Sequence, residues 1–464
     1  MATSFDRTAT LESIDPEVAW APWEPSEAEP WDERRAAHLF RRAGFGASDK
    51  DLKRAVAMTP EALIDSLFSS SGDPSSVDPS EFEAESKTLA DAILAAREPQ
   101  SLSSWWLHRM LNSPEPLREK MTMFWHGHFA TGAEKVLDAE LMFNQNQLLR
   151  EHALGDFRLL VHRIAKDPSM LIYLDSATNR KAHANENFAR ELMELFCLGE
   201  GNYSEEDVQQ LARCFTGWEI RRKQFRFNSY QHDDGLKTLL GKEGIESGEQ
   251  AIDQVLSQRS LPEFVVSKMV RYFVCDEPSP SRKFLQPLTD QLSKDSLNVS
   301  EVTRKILSSR LLLSDWSFGR KVRSPVEMAV GFLKTLDAST NLSQLGQRLK
   351  DVGHDLFYPP NVKGWDGGRA WINSSTLVGR ANLIFNLLHD ENTRFGGKDL
   401  ITFSGSRGED ASQFFHWFEK SYFVNQLTIP QVTGLTSQLS QQTDKLKARA
   451  VLALAAALPQ FHLG

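Results

Sequence analysis

Pro116-Leu117-Arg118-Glu119-Lys120-Met121-Thr122-Met123-Phe124-Trp125-His126-Gly127-His128-Phe129 is the stretch on which the reading of this chain turns. Leu117, Met121, Phe124 and Trp125 recur at helical spacing, which predicts an amphipathic helix. The pattern ends in two imidazoles among large aromatic rings, and Gly127 is expected to let the chain turn there. Imidazole is the commonest protein metal ligand. Residues two apart share a face on an extended segment and point nearly opposite ways on a helix. His126 and His128 therefore share a metal only if the helix has unwound by Gly127. The alternative is a pair of rings that cap helix carbonyls or stack on Trp125 and Phe129.

The same 3.6-residue period dominates residues 85–216. Leu102, Trp105, Trp106, Met110 and Leu111 predict one helix, and Phe188, Leu192, Leu195 and Phe196 another, ended near Gly199. Ser204-Glu205-Glu206-Asp207 has the form of a capping box. Upstream, Ala36, Leu39, Phe40 and Ala43 give one helical face stopped at Gly44 and Gly46, and Thr59-Pro60 opens a further short helix. Residues 69–84, rich in Ser, Pro and Asp, predict a loop. Residues 218–242 break the helical pattern, and the alternation around Trp218, Ile220, Phe225 and Phe227 predicts a β-hairpin turning at Arg222–Gln224. Helices are expected again over 248–350 and 376–390, with an irregular Pro/Gly/Trp stretch from Gly353 to Ser375 between them and two or three helices at the C-terminal end. The fold class is mainly α: one large multi-helix body with a small β-hairpin insertion and an irregular Pro/Gly/Trp loop. Residues 1–30 are expected to form a flexible acidic tail with Trp20, Trp23 and Trp31 as tethers, residues 31–390 the main helical domain, and residues 391–464 a C-terminal helical extension packed on it.

Composition narrows the function classes. In 464 residues, 41% hydrophobic and 25% charged content is that of an ordinary globular protein. A net charge of −9 supplies no global drive toward nucleic acid or an anionic membrane. Cys197, Cys214 and Cys275 cannot all pair, which favours reduced, buried thiols. No run reaches the roughly 20 apolar residues of a membrane span. The first thirty residues carry no charged start followed by an apolar core, so a cytoplasmic location is expected, with export by an unrecognised route left open.

Several separated segments carry a resemblance. They are His38-Leu39-Phe40-Arg41-Arg42-Ala43-Gly44-Phe45-Gly46, Pro116 to Lys120 leading into Phe124 to Phe129, Asn185-Glu186-Asn187-Phe188-Ala189-Arg190-Glu191-Leu192-Met193-Glu194-Leu195-Phe196, Thr216-Gly217-Trp218, His232-Asp233 with Lys237, and Pro359-Pro360-Asn361-Val362-Lys363-Gly364-Trp365. Together they resemble the domain-of-unknown-function 1800 family of bacterial proteins over about residues 36–390, with the last seventy residues similar only loosely. The family brings no established activity. The resemblance implies at most a pathway partner, a sulfatase-like protein. Many members carry Met-Gly-Gln where this chain has Val352-Gly353-His354, which sets His354 apart from a shared site residue.

Four groups of side chains compete for a chemical role. Glu186, Arg190 and Glu194 stand at i, i+4 and i+8, the spacing of a surface ion-pair ladder. Glu191 borders the apolar face beside Leu195, so its carboxylate needs a cation, a donor or a metal. His232-Asp233-Asp234 has the histidine-x-carboxylate spacing of iron sites, but those ligands sit on β-barrels; capping the hairpin over the His126/His128 region, or an Asx turn leading to Gly235, are the competing readings. Trp365 and Trp371 in the glycine-rich loop offer flat apolar faces to a sugar or base, or else pack onto the body. Arg221-Arg222-Lys223 with Arg226 forms a basic hairpin tip able to meet an anion such as sulfate. Metalloprotease, nucleophile-elbow, phosphate-loop and Cys-x-x-Cys signatures are absent from the sequence.

The leading expectation is a metal-dependent enzyme, a hydrolase before an oxidoreductase. His126, His128 and Glu191 would hold one divalent ion of unknown identity and activate water. His232 or Asp233 would shuttle the proton, and Trp365, Trp371 and Arg190 would touch substrate. The rival is a non-enzymatic helical scaffold or chaperone for a sulfatase-like partner, with the same histidines and glutamates forming a buried polar network.

Overall fold

Local rules written in the sequence start most of the helices. Thr59 caps the Ala62 amide with Pro60 in the first turn, and Ser204 with Asp207, Ser324 with Glu327 and Asn373 with Thr376 close reciprocal capping boxes. The computed structural model describes residues 5, 7–69, 78–408, 410–423, 427, 434 and 444–464. The fold is mainly α, with three small two-stranded antiparallel sheets among the described residues.

The hairpin falls where the alternation places it. Trp218–Arg221 pairs with Gln224–Phe227, and Arg222 and Lys223 take φ of 52° and 62° to make the two-residue turn. A second hairpin, Lys237–Leu239 with Lys242–Ile245, was not read from the sequence, because three- and four-residue strands show too little alternation. The expected loop at 69–84 is corrected in part: Asp78 caps a helix over Pro79–Ala96, while residues 70–77 lie outside the described residues.

Two apolar clusters build the core. The first gathers helices from Glu33 to Phe68 and from Phe157 to Leu313, and the second gathers Leu102–Asn112, Pro325–Thr335 and the C-terminal helices Ala411–Tyr422 and Asp444–Ala456. The Pro116–His128 helix serves both: Leu117, Met121, Phe124 and Trp125 face the first, and Met123 faces the second. Its rotation is fixed by Glu119, which is fully buried and accepts from Arg109 and Arg150 (2.8 Å each) and from Trp106 Nε1 (3.1 Å). Near the N-terminus, Trp20 is buried and donates to the Phe284 carbonyl at 2.8 Å, and Trp31 donates to the Ala55 carbonyl at 3.1 Å. The three cysteines are free and buried. Among the described residues, no helix is long and apolar enough to cross a membrane.

Candidate functional site

The helix does not unwind at Gly127, which corrects the expected turn: it runs unbroken from Pro116 to His128. His126 and His128 consequently leave it on different sides. His126 enters the second cluster, edge-on to Trp106 and Phe357, and its Nε2 accepts the Phe357 amide at 3.2 Å. His128 enters the first, edge-on to Trp125 and Phe129, with its Nε2 2.9 Å from the Phe196 carbonyl oxygen and its Nδ1 3.2 Å from Lys268 Nζ. A carbonyl only accepts, so Nε2 carries the proton and Nδ1 is the acceptor for Lys268. Burial pushes His126 down to about 3 and holds His128 well below its ordinary value, with Lys268 adding to the latter.

The carbonyls that meet this pair come from a local irregularity. Residues Leu192–Cys197 form a π-helix after the α-turn Asn187–Glu191. The wider winding leaves the Leu195 carbonyl to accept from Lys268 Nζ at 2.7 Å and the Phe196 carbonyl to accept from His128. The same winding breaks the expected charge ladder. Arg190 pairs with Glu186 (3.2 Å) and Glu205 (2.7 Å), while Glu194 accepts from the Tyr203 hydroxyl at 2.9 Å instead.

Lys268 opens onto a cleft of about 250 Å³ at the seam of the two clusters. Phe124 and Gly127 form its floor, and Arg271 and Lys363 stand exposed at its edge. Trp365 and Trp371 form one wall with His354 between them, at ring distances of 4.9 and 4.8 Å. That loop seats because Gly364, at φ 76°, lies against the Gly127 carbonyl; a Cβ at 364 would come within 2.3 Å of that oxygen. Burial pushes His354 down to about 3, and its Nδ1 is buried without a hydrogen-bond partner. Deeper in the cleft, Lys321 pairs with Asp276 at 3.2 Å, and Glu327 is bound by Lys120. Burial would raise the Glu327 carboxyl, but Lys120 and Lys321 outweigh it and hold it well below the carboxylate range. Among the described residues Lys268 pairs with no carboxylate; burial pushes its amine down to about 8, against an opposing effect from Cys197.

The other expected site residues fall elsewhere. Glu191 is half-buried outside the lining, and burial followed by Glu194 raises its carboxyl, with Lys363 and Arg190 opposing. His232 is held between the carbonyls of Thr216 (2.8 Å) and Glu246 (3.1 Å). Asp233 pairs with Arg213 at 2.7 Å and accepts the Gly235 amide at 2.9 Å, the Asx-turn alternative. Neither lines the cleft, nor does Arg190. Of the sequence candidates, His128, Trp365 and Trp371 share the cleft, and His126 packs behind it against Trp365 at 5.7 Å. His126, His128 and Glu191 do not converge, and no three His, Cys, Asp or Glu side chains among the described residues are grouped to hold a metal ion. Lys268, Arg271, Tyr272, Lys321 and Glu327 were missed. The one local signal was polar side chains at 268, 271 and 272, an i, i+3, i+4 face beside the apolar face of Val265, Val266, Met269 and Val270.

The family described as Protein of unknown function (DUF1800) matches residues 38–463, and the chain belongs to it. The match continues through residues 391–463, beyond the loose similarity expected there. No curated protein and no solved structure shows a match.

Proposed function

We propose that the cleft binds a small anionic molecule with one flat ring, and that Lys268 anchors its charge. The observation that carries this is a half-buried, largely desolvated ammonium that pairs with no carboxylate among the described residues, lining a cleft walled by two tryptophans. A cation in such a place needs an anion to offset its lost hydration. The indole faces suit a sugar or aromatic ring, and about 250 Å³ is room for one ring rather than a chain of them.

The test is calorimetric titration, beside tryptophan fluorescence, with a sulfated monosaccharide, an aromatic carboxylate and the neutral parent of each. Binding of an anionic member, absent for its neutral parent and lost in Lys268→Met, supports the reading. Equal binding of charged and neutral members, or binding unchanged in Lys268→Met, refutes it.

The metal-dependent hydrolase built on His126, His128 and Glu191 has weaker support, because those side chains face different surroundings. A second reading, docking to a sulfatase-like partner, draws on the exposed Leu377, Val378 and Phe385 of the Ser374–His389 helix. Capture of a co-expressed sulfatase-like protein, lost in Val378→Lys/Phe385→Glu, would support it, and capture unchanged by that variant would refute it.

A further inference from the structure

Behind the cleft, Tyr272, Lys321 and Glu327 also wall a second space of about 10 Å³. Its far side is cationic: Arg41 and Arg42 from the Glu33–Ala43 helix, and Arg323, are 8%, 3% and 5% exposed. Each guanidinium spends one nitrogen on main-chain carbonyls. Arg41 Nη2 donates to Ser421 at 2.9 Å and also to Tyr422, Arg42 Nη2 to Ser317 (3.1 Å) and Gly464 (2.9 Å), and Arg323 Nη2 to Tyr422 (3.3 Å). Arg41 Nη1, Arg42 Nε and Nη1, and Arg323 Nε remain buried without a partner.

The charges around this space do not balance. Among the described residues Glu327 is the one side-chain carboxylate in the lining; it is bound by Lys120 and by the Ser324 amide. Asp276 is taken by Lys321 and the Val322 amide. Among the described residues Arg41, Arg42 and Arg323 form no ion pair with a carboxylate, and Asp276 and Glu327, which favour the Arg42 charge, are shared with Lys321 and Lys120. Even a carboxylate at Gly464 would answer one and leave two. A water molecule accepts from two donors and cancels no charge, whereas a monatomic anion accepts from several N–H groups and offsets the charge directly. The space is on the scale of one small sphere.

We infer that Arg41, Arg42 and Arg323 enclose a bound chloride-class anion. It ties the Glu33–Ala43 helix to Tyr422 and to the 461–464 end, with Arg41 and Tyr422 381 residues apart and Arg42 and Gly464 422 apart. This site is independent of the ring ligand proposed for the cleft, although the two share a wall.

The test uses the full chain expressed without halide exchange restrictions and purified throughout in bromide, then crystallised for diffraction at the bromine absorption edge. An anomalous peak within hydrogen-bond reach of Arg41, Arg42 and Arg323 is expected. Bromide peaks only on the surface, with none in this space, would overturn the proposal whatever binds in the cleft. A parallel thermal melt compares chloride with gluconate at equal ionic strength. The wild-type midpoint is expected to stand several degrees higher in chloride, with the difference shrinking in Arg41→Met. Equal midpoints in the two salts for the wild type would also overturn it.

Discussion

Lys268 donates to His128 Nδ1 across 3.2 Å, and that contact fixes the tautomer of a histidine and the position of a cation together. The ammonium is held between this ring and the Leu195 carbonyl, with its remaining hydrogen available to a ligand in the cleft. Two acceptors without charge orient it but do not neutralise it.

This arrangement predicts a pH dependence for ligand binding. Burial pushes the Lys268 amine down to about 8 from 10.5. Below about 8 it is charged in the folded protein; as pH rises through that value, the cleft loses a positive charge. Affinity for an anion should fall about tenfold or more between pH 7 and 9.5, which is about 1.4 kcal/mol or more. Lys268→Arg should bind with little change over this range, and Lys268→Met should bind weakly throughout. Calorimetric titration at the two pH values checks this; the same decline in Lys268→Met would remove Lys268 as its source.

A second prediction concerns acid stability. Phe357 stands at φ 70°, a left-handed conformation unusual for a bulky residue, and its amide is held by His126 while its carbonyl accepts from Ala133 at 2.9 Å. Burial holds His126 and His354 at about 3 in the folded chain against 6.5 when exposed. Between these values the unfolded chain binds protons that the native one refuses. Stability is therefore full above about 6.5 and is lost as pH falls, by at most about 1.4 kcal/mol per pH unit for each ring. His126→Phe should cost about 1–3 kcal/mol at pH 7.5 by orphaning the Phe357 amide. It should also make the decline between pH 6.5 and 5 shallower. Urea midpoints across that range measure both, and parallel declines in variant and wild type would contradict the assignment.

Glu119 provides a third. Burial would raise its carboxyl, but Arg150 and Arg109 hold it at about 2. Glu119→Gln keeps the shape and removes the charge, leaving two buried guanidiniums facing an amide. A loss of about 3–5 kcal/mol is expected in chemical denaturation. A loss under 1 kcal/mol would show that the network relaxes around the amide and does not set the rotation of the Pro116–His128 helix.

What could be read from the sequence, and what could not, divides along physical lines. Caps such as Ser204 with Asp207, the stripe Leu117-Met121-Phe124-Trp125 and the Trp218–Phe227 hairpin depend on neighbours in the chain, and each was legible. The π-helix was not, because one turn of wider winding leaves the apolar pattern of Leu192, Met193 and Phe196 intact while it turns Leu195 and Phe196 carbonyls outward. Gly127 misled for a similar reason. Its local preference suggests a stop, but the helix runs through it and a Cβ there would meet nothing within 4 Å; the close approach of the two backbones depends on Gly364. Lys120 and Glu327 lie 207 residues apart, and Lys268 and His128 lie 140 apart, so no local pattern announces either pair. Trp365 and Trp371 stood out in the sequence as indoles on a glycine-rich loop, with ligand contact and packing onto the body both open, and both line the cleft.

The last prediction addresses metal. A histidine ligand must present a free ring lone pair to the ion. The His126 Nε2 lone pair accepts from Phe357, and the His128 Nδ1 lone pair faces an ammonium that repels a divalent cation. Untagged protein, offered zinc, iron and manganese and then desalted, should carry well under one metal ion per chain by mass spectrometry. Lys268→Met removes the repelling charge and frees the His128 Nδ1 lone pair, yet leaves an imidazole that belongs to no group of three ligating side chains among the described residues. It should gain no more than weak, easily chelated zinc. About one zinc per wild-type chain, lost in a folded His128→Gln variant, would overturn this geometry and restore the metal-centred hydrolase. Metal content equal and low in wild type, Lys268→Met and His128→Gln would instead leave His128 as the group that positions Lys268. In that case His128→Gln should weaken anion binding in the cleft without touching metal content, a separation that a metal ligand could not produce.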